Sequence, residues 1–369
     1  MVSRTRIKQI ITEALGVPSQ IEMLTDIFTD MVFQEVEALR ISDEYDEADV
    51  EIKDYGETVA KKYETTVKAS QSWSFVKNHP SFNMEEWKKF PMYRNEVRIT
   101  VDVLDDEAAN HVVDDLNMPL VNGSHNFTPD KLEVKNLKTL GDVFDIGRFE
   151  FKIITGESDF KGTQQLKTKI SATIAHEIFH DFQLYIKYIK SNEKGFGKAQ
   201  VLNTMTGHLK EGFSKEFNYF LHVLYLSLQF EHQARIPQAL RIIKSKSPKT
   251  NQEFIDALKQ TDAWQDIQRL RNFSAEKIIK SYGEIKGLED IFRLPQSLGY
   301  TKDVISDWND WIEKIRDFMV KNGLTVNPFR GLSQKLLNDP VLFFEYWERV
   351  FKKRAKEYYA KLAKLYGAL

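Results

Sequence analysis

The stretch from Gln164 to Ile189 contains neither glycine nor proline, and its apolar residues recur at helical spacing. These residues are Leu166, Ile170, Ile174, Ile178 and Phe182. The pattern predicts one long helix. Inside it lies the sequence His176-Glu177-Ile178-Phe179-His180, in which two histidines one turn apart share a helix face. Such a helix constrains the fold, because if these histidines bind a metal ion the rest of the chain has to supply the remaining ligands.

The HExxH pattern indicates a metal site that is able to catalyse a reaction. Two imidazole nitrogens one turn apart can bind the same zinc ion. Glu177 is offset around the helix towards the remaining coordination position, where its carboxylate can deprotonate a zinc-bound water. This is the chemistry of metal-assisted peptide hydrolysis, and it predicts one Zn²⁺ per chain. The alternative is an amphipathic helix with two ordinary histidines.

Composition narrows the choice of ligands and of partners. None of the 369 residues is a cysteine, which leaves His, Asp and Glu as protein ligands for zinc. A formal net charge of −2 gives no general attraction to nucleic acid or to an anionic membrane. The sequence has neither the apolar run of a secretory signal nor the roughly 20 apolar residues of a membrane span. We therefore expect a cytoplasmic protein.

The residue pattern changes twice along the chain and predicts a three-part organisation. Residues 1–90 have mainly helical spacing and include an acidic loop at 42–57. Residues 91–240 begin with β-branched, alternating segments and continue into the HExxH helix. Residues 241–369 have helical spacing and are expected to pack on the central part. The expected fold class is helix-rich α+β, with a small mixed sheet before the HExxH helix.

The strands of this sheet are predicted from alternation with period two. Residues 97–103, 131–134 and 148–154 show it. Between them lie residues typical of turns, Val121-Asn122-Gly123-Ser124 and Thr128-Pro129-Asp130. The last of these strands directly precedes the HExxH helix.

A catalytic zinc site needs a third protein ligand and one open position. Glu231 is the first candidate, because it follows the most apolar stretch of the chain in a helix expected at 213–235 and ended by Pro237. A carboxylate in such a helix is costly to bury unless a cation meets it. A metal ion would meet this need, and so would Arg235 one turn later.

Taken together, these motifs resemble those of gluzincin-type zincin metallopeptidases, whose third ligand is a glutamate on a following helix. The segment from His176 to Gln183 resembles the HELxHxxQ helix of small phage and bacterial zincins. Their second signature, an aromatic helix leading to Glu-x-x-Ala-Arg, resembles the segment from Tyr225 to Arg235. The resemblance covers residues 95–240. It implies that His176, His180 and Glu231 bind zinc and that Glu177 is the general base.

Other residues remain open as ligands. Glu211 lies in Leu209-Lys210-Glu211-Gly212-Phe213-Ser214, which is similar to the glutamate-ligand segment of some aminopeptidase-type zincins. It is flanked by a lysine and a glycine at a predicted helix start, where a solvated glutamate is common. His208, His222 and His232 are further candidates, and each is more commonly a surface or core histidine.

The resemblance implies a zinc metallopeptidase, an enzyme that hydrolyses a peptide or protein substrate held by backbone pairing along the strand at 148–154. Asp181 is a candidate for orienting a ligand imidazole. The oxyanion could be stabilised by Tyr225, His222 or His232. The alternative is a non-catalytic, zincin-like structural or virion-associated protein. In that case the helical regions at either end would bind protein partners.

The C-terminal helix, expected at 339–365, suggests a third hypothesis. The segment from Arg349 to Lys356 is basic with aromatic neighbours, as in some proteins that bind nucleic acid or a membrane surface. A DNA-associated protease would explain it. The apolar positions instead favour a packing face with a solvated basic side. These positions are Leu342, Tyr346, Val350, Tyr358, Leu362 and Leu365.

Overall fold

A computed structural model describes residues 19–41, 50–51, 59–85, 96–109, 121–126, 148–157, 164–191, 215–283, 332–333 and 340–366. The helices are α1 (Ser19–Ile41), α2 (Ala69–Asn78), α3 (Gln164–Ser191), α4 (Lys215–Leu226), α5 (Gln229–Lys246), α6 (Asn251–Lys259), α7 (Asp262–Asn272), α8 (Ala275–Gly283) and α9 (Pro340–Tyr366). The strands are β1 (Val50–Glu51), β2 (Val59–Val67), β3 (Glu96–Leu104), β4 (Val121–Asn126) and β5 (Arg148–Gly156). The predicted helix-rich α+β class is confirmed.

Five strands form one mixed sheet in the order β1-β2-β3-β5-β4. β3 and β5 are parallel, with Glu96 opposite Arg148 and Leu104 opposite Gly156. β2 runs antiparallel to β3, and β4 runs antiparallel to β5. β5 is therefore an interior strand, and among the described strands β4 forms the edge of the sheet next to it.

Two strands lie where the sequence predicted other structure. The segment Val121-Asn122-Gly123-Ser124, predicted as a turn, is the first part of β4 and pairs with β5. In this segment the cross-strand pairing overrides the turn propensity of Asn and Gly. β2 lies within the region expected to be helical, where the buried residues Ala60, Tyr63 and Val67 imitate helical spacing. The strand expected at 131–134 and the turn at 128–130 fall outside the residues that the structure describes.

The helix predicted at 213–235 is in fact two helices. α4 ends at Leu226, and the Ser227 hydroxyl donates to the Leu224 carbonyl at 2.6 Å. α5 then begins at Gln229 and continues through Pro237. The proline removes one backbone hydrogen bond. Burial on both sides of it stabilises the helix, since Ala234 and Ala239 are each 0% exposed.

The chain divides into two compact units, and the first consists of residues 1–186, 234–261 and 365–369. It contains the sheet, α1, α2, most of α3, most of α5, and α6. Its core includes the strand residue Phe149, whose ring lies 5.4 Å from that of Phe28 on α1.

The second unit consists of residues 187–233 and 262–364 and includes α4, α7, α8 and nearly all of α9. Its core is aromatic and is centred on Phe220 of α4. The ring of Phe220 lies 5.2 Å from that of Phe344 and 5.5 Å from that of Phe343.

α9 has an apolar packing face, but only Tyr358 and Leu362 of the predicted positions lie at its centre. Its most buried residues, each at most 1% exposed, are Phe343, Phe344, Phe351, Tyr358 and Leu362. The expected positions Leu342, Tyr346 and Val350 are half-buried at the margin of this face, and Lys352, Lys353 and Lys356 are exposed. Leu365 falls outside the side chains that the structure describes. Among the residues that the structure describes, no helix is long and apolar enough to cross a membrane.

Candidate metal centre

α3 presents the two histidines of the HExxH motif side by side. The helix is continuous from Gln164 to Ser191, and Ile170, Ile174 and Ile178 are at most 1% exposed along its buried face. His176 is 7% exposed, and the Nε2 atoms of His176 and His180 lie 3.0 Å apart. Two nitrogens bound to one tetrahedral zinc ion, each about 2.0 Å away, lie about 3.3 Å apart. The observed separation is close to this value, so both ring nitrogens point to one place.

Glu231 completes a group with these two histidines. One donor atom from each of His176, His180 and Glu231 can be chosen so that all lie within 4.8 Å of one another, and the group could bind a metal ion. Glu231 is 1% exposed and is the third residue of α5. The sequence placed it inside a long apolar helix, whereas it lies in a first turn. There the backbone N–H groups and the helix dipole favour a negative charge.

Two of the candidate ligands are held by hydrogen bonds to neighbouring side chains. His180 Nδ1 lies 3.1 Å from Gln183 Oε1, which can only accept, so Nδ1 carries the proton and Nε2 presents its lone pair. The Tyr225 hydroxyl donates to Glu231 Oε2 at 2.6 Å. Tyr225 lies before the break between α4 and α5, and Glu231 lies after it. This interruption of the helix allows the two side chains to meet.

The sequence suggested different residues for some of these roles. Asp181 was the candidate for orienting an imidazole, but its side chain lies outside the described part of the chain. Gln183 contacts His180, and its position three residues after that histidine is the signal in the sequence. Tyr225, a candidate for the oxyanion, has its hydroxyl on Glu231.

Among the described residues, His222 and His232 are not part of this group. His208 and the alternative ligand Glu211 lie outside the described residues, and His222 is exposed on α4. His232 is 3% exposed, and its ring stacks on that of Tyr358 with centroids 4.2 Å apart. Burial lowers the pKa of His232 to about 4. His232 is therefore a neutral core residue at pH 7.

Glu177 lies beside the edge strand β4. A Cβ atom built on Gly123 would be 3.0 Å from Glu177 Cγ and 2.8 Å from Thr173 Cγ2. The Thr173 hydroxyl donates to the Val121 carbonyl at 3.3 Å.

The strand expected to hold a substrate, β5, is paired on both sides with β3 and β4, so that expectation was wrong. The edge next to Glu177 belongs to β4.

Comparisons of the chain with protein-family models, with curated proteins and with solved structures find no match. The zincin resemblance therefore rests on the two sequence motifs. The chemistry of the site is argued from its own geometry.

Proposed function

We propose that this protein is a zinc-dependent peptidase, with zinc bound by His176, His180 and Glu231 and with Glu177 as general base. The observation that carries the proposal is the convergence of two Nε2 atoms, 3.0 Å apart, with a buried carboxylate. Two imidazoles and one carboxylate form a donor set of catalytic zinc sites, in which the fourth position stays open.

The spacing of the donor atoms fits an ion of this size. Tetrahedral zinc lies about 2.0 to 2.2 Å from nitrogen and oxygen ligands, so two ligands of one ion are about 3.3 to 3.6 Å apart. The donor atoms of the group lie within 4.8 Å of one another, so binding requires the carboxylate or a ring to move closer by at most about 1.5 Å. Imidazole and carboxylate together suit zinc better than magnesium or calcium, which prefer oxygen ligands alone.

When bound, zinc supplies Lewis-acid activation of the attacking water and of the substrate carbonyl. The Glu177 carboxylate accepts a proton from that water and passes it to the nitrogen of the leaving amine. Because Glu177 follows His176 directly, one helix fixes the base and two ligands. Gln183 keeps the Nε2 lone pair of His180 available, and Tyr225 limits the rotation of the Glu231 carboxylate.

The substrate of this reaction is an extended peptide on the outer edge of β4. Among the residues that the structure describes, no strand pairs with that edge, so its backbone groups can pair with an added strand. A peptide bound there passes next to Glu177, because Gly123 lies against the Cγ atom of that residue.

Metal content is the first test. Protein purified without chelators or a His-tag is expected to contain about one zinc ion per chain by mass spectrometry. His176→Ala and Glu231→Ala should each lose it, and the exposed control His222→Ala should keep it. Absence of zinc from the wild type, even after zinc is supplied, would contradict the proposal.

The second test separates catalysis from metal binding. Glu177→Gln should keep zinc, and its rate of cleavage of labelled casein should be about 10²- to 10⁴-fold lower than that of the wild type, because the amide cannot accept the proton. If Glu177→Gln cleaved casein as fast as the wild type, the assignment of the base would be wrong. A wild type that binds zinc and cleaves neither casein nor a peptide library would favour the structural alternative.

A further inference from the structure

We propose that Gly123 is a positioning residue: its lack of a side chain lets β4 lie directly against Glu177, and Thr173 holds the strand there. The inference rests on the proposed function, in which Glu177 accepts the proton. It concerns residues of β4 and α3 that do not contact the metal ion.

The space beside Gly123 is too small for any side chain. Its Cβ would lie 2.8 Å from Thr173 Cγ2, 3.0 Å from Glu177 Cγ and 3.3 Å from Phe151 Cε1. Thr173 is 8% exposed and branched at Cβ, so its methyl group has little freedom to move. The Cγ atom of Glu177 is one bond from the carboxylate carbon, so displacing it moves the carboxylate.

Backbone conformation does not explain the glycine. Gly123 is not in the left-handed region, and it pairs with Phe151 in a regular antiparallel register. Other residues could adopt this strand conformation. Close approach of β4 to α3 is therefore the reason that a glycine is needed at this position.

Thr173 fixes the distance between the two elements. It lies one turn before Glu177 on the same face of α3. Its methyl group is next to Gly123, and its hydroxyl donates to the Val121 carbonyl at 3.3 Å. The same residue therefore blocks closer approach of β4 and prevents its separation from the helix.

An added methyl group at position 123 has two possible consequences. Either β4, which β5 holds on one side, moves away from α3, or the Glu177 side chain changes its rotamer. Both displace the base from the two Nε2 atoms or from a substrate on β4. A displacement of about 1 Å in a reacting group can lower the rate by about 10²-fold.

The first experiment measures the contact in the metal-free, full-length chain, where catalysis plays no part. Thermal unfolding is compared for Gly123→Ala alone and combined with Thr173→Ser or Glu177→Ala, each of which is also measured alone. Thr173→Ser removes the methyl group and keeps the hydroxyl, and Glu177→Ala removes Cγ. Gly123→Ala should lower Tm by several degrees, and each second substitution should recover about half of that loss. Additive effects in both cycles would overturn the proposal.

The second experiment measures the zinc-loaded protein with labelled casein. Gly123→Ala should lower kcat by about 10²-fold, with zinc content and KM unchanged, and Thr173→Ser should restore most of kcat in the double variant. An unchanged kcat in Gly123→Ala would overturn the proposal. If the wild type itself does not cleave casein, the proposed function fails. The thermal unfolding of the single and double variants still shows whether Gly123 contacts Thr173 and Glu177.

Two further variants complete the design. If Gly123→Ala does not fold, Thr173→Val tests the other part of the proposal, that Thr173 holds β4, because it keeps the shape of the side chain and removes the hydrogen bond to Val121. It should lower kcat several-fold with zinc retained, and an unchanged kcat counts against the proposal. Gly156→Ala in β5 is the matched control, since its Cβ would meet Asp106 instead of α3. It should lower Tm without changing kcat.

Discussion

At the scale of single residues, the ability of a candidate ligand to bind zinc depends on the side chain that hydrogen-bonds to it. Gln183 Oε1 accepts from His180 Nδ1 at 3.1 Å, which increases the electron density on Nε2. A charged acceptor at the same place would increase it further, whereas an apolar side chain would leave the imidazole free to rotate or change tautomer.

Gln183 is therefore expected to set zinc affinity in both directions. Gln183→Glu should raise the affinity, and Gln183→Met, which has similar size and no comparable acceptor, should lower it by about 10- to 100-fold. Competition with a chromophoric zinc chelator measures both. The exposed Gln252 of α6 provides the control variant Gln252→Met, which should bind zinc as the wild type does. If Gln183→Glu and Gln183→Met lowered the zinc affinity equally, the hydrogen bond from His180 to Gln183 would not set that affinity.

The residues of the site differ in how far the sequence reveals them. His176, Glu177 and His180 are predictable because their spacing along one helix already defines their geometry. Glu231 was selected because it is costly to bury, although the structure places it at a helix start. Gly123 gave no functional signal, since its role depends on which helix lies against the strand.

At the scale of elements, α1 is attached to its neighbours by a stripe of acidic residues. Glu22, Asp26 and Asp30 are spaced four residues apart, so they share one helix face. Lys244 and Arg241 of α5 pair with Glu22 and Asp26, and Lys167 of α3 lies 2.7 Å from Asp30. These pairs border a polar cleft of about 470 Å³. Each partly exposed pair contributes at most about 1 kcal/mol, and together they join α1 to α3 and α5.

Asp30 gives this attachment a pH dependence. Burial opposes ionisation of its carboxyl, but hydrogen bonds from Lys167 and His79 outweigh burial and lower its pKa below the ordinary 3.8. A lowered folded-state pKa contributes stability above the unfolded-state pKa, and this contribution is lost as the pH falls through the folded-state pKa. Asp30→Asn should therefore unfold at lower temperature than the wild type at pH 7, with the two values converging below pH about 4.

Thermal unfolding from pH 3 to pH 7 measures this difference. Asp30 is 36% exposed, so the effect at pH 7 should be below about 1 kcal/mol. Glu107→Gln, which removes an exposed carboxylate in the same unit, is the control. A difference between Asp30→Asn and the wild type that is constant across the whole range would show that the pairing does not depend on ionisation.

The elements that the sequence missed share a physical cause. β4 contains Asn-Gly-Ser, which favours a turn in isolation, and it becomes a strand only because β5 pairs with it. In β2 the buried residues have helix-like spacing, while pairing with β3 determines the outcome. α3 and α9 were predictable because their long periodic patterns match the 3.6-residue repeat over many turns. Pairing partners in space are not encoded in a local window.

At the scale of the whole molecule, the two units have different cores. The first is built around strands, where Val97, Ile99 and Val101 of β3 are each 0% exposed. The second is built around aromatic rings from several helices. Ring centroids lie 6.1 Å from that of Phe220 for both Phe273 and Phe351. Because each ring buries a large apolar area, replacing any of them by a small side chain is expected to lower the stability considerably.

Phe220→Ala is expected to destabilise the second unit selectively. Phe220 is 0% exposed, and truncating a buried phenylalanine costs about 3 to 5 kcal/mol. Because the surrounding rings belong to the same unit, hydrogen exchange should accelerate in α4, α7 and α9 and change less in β3 and β5. Tyr359→Ala is the control, since Tyr359 is 42% exposed on α9 and should alter exchange little. Equal acceleration in the strands and in these helices would mean that the two cores unfold as one cooperative structure.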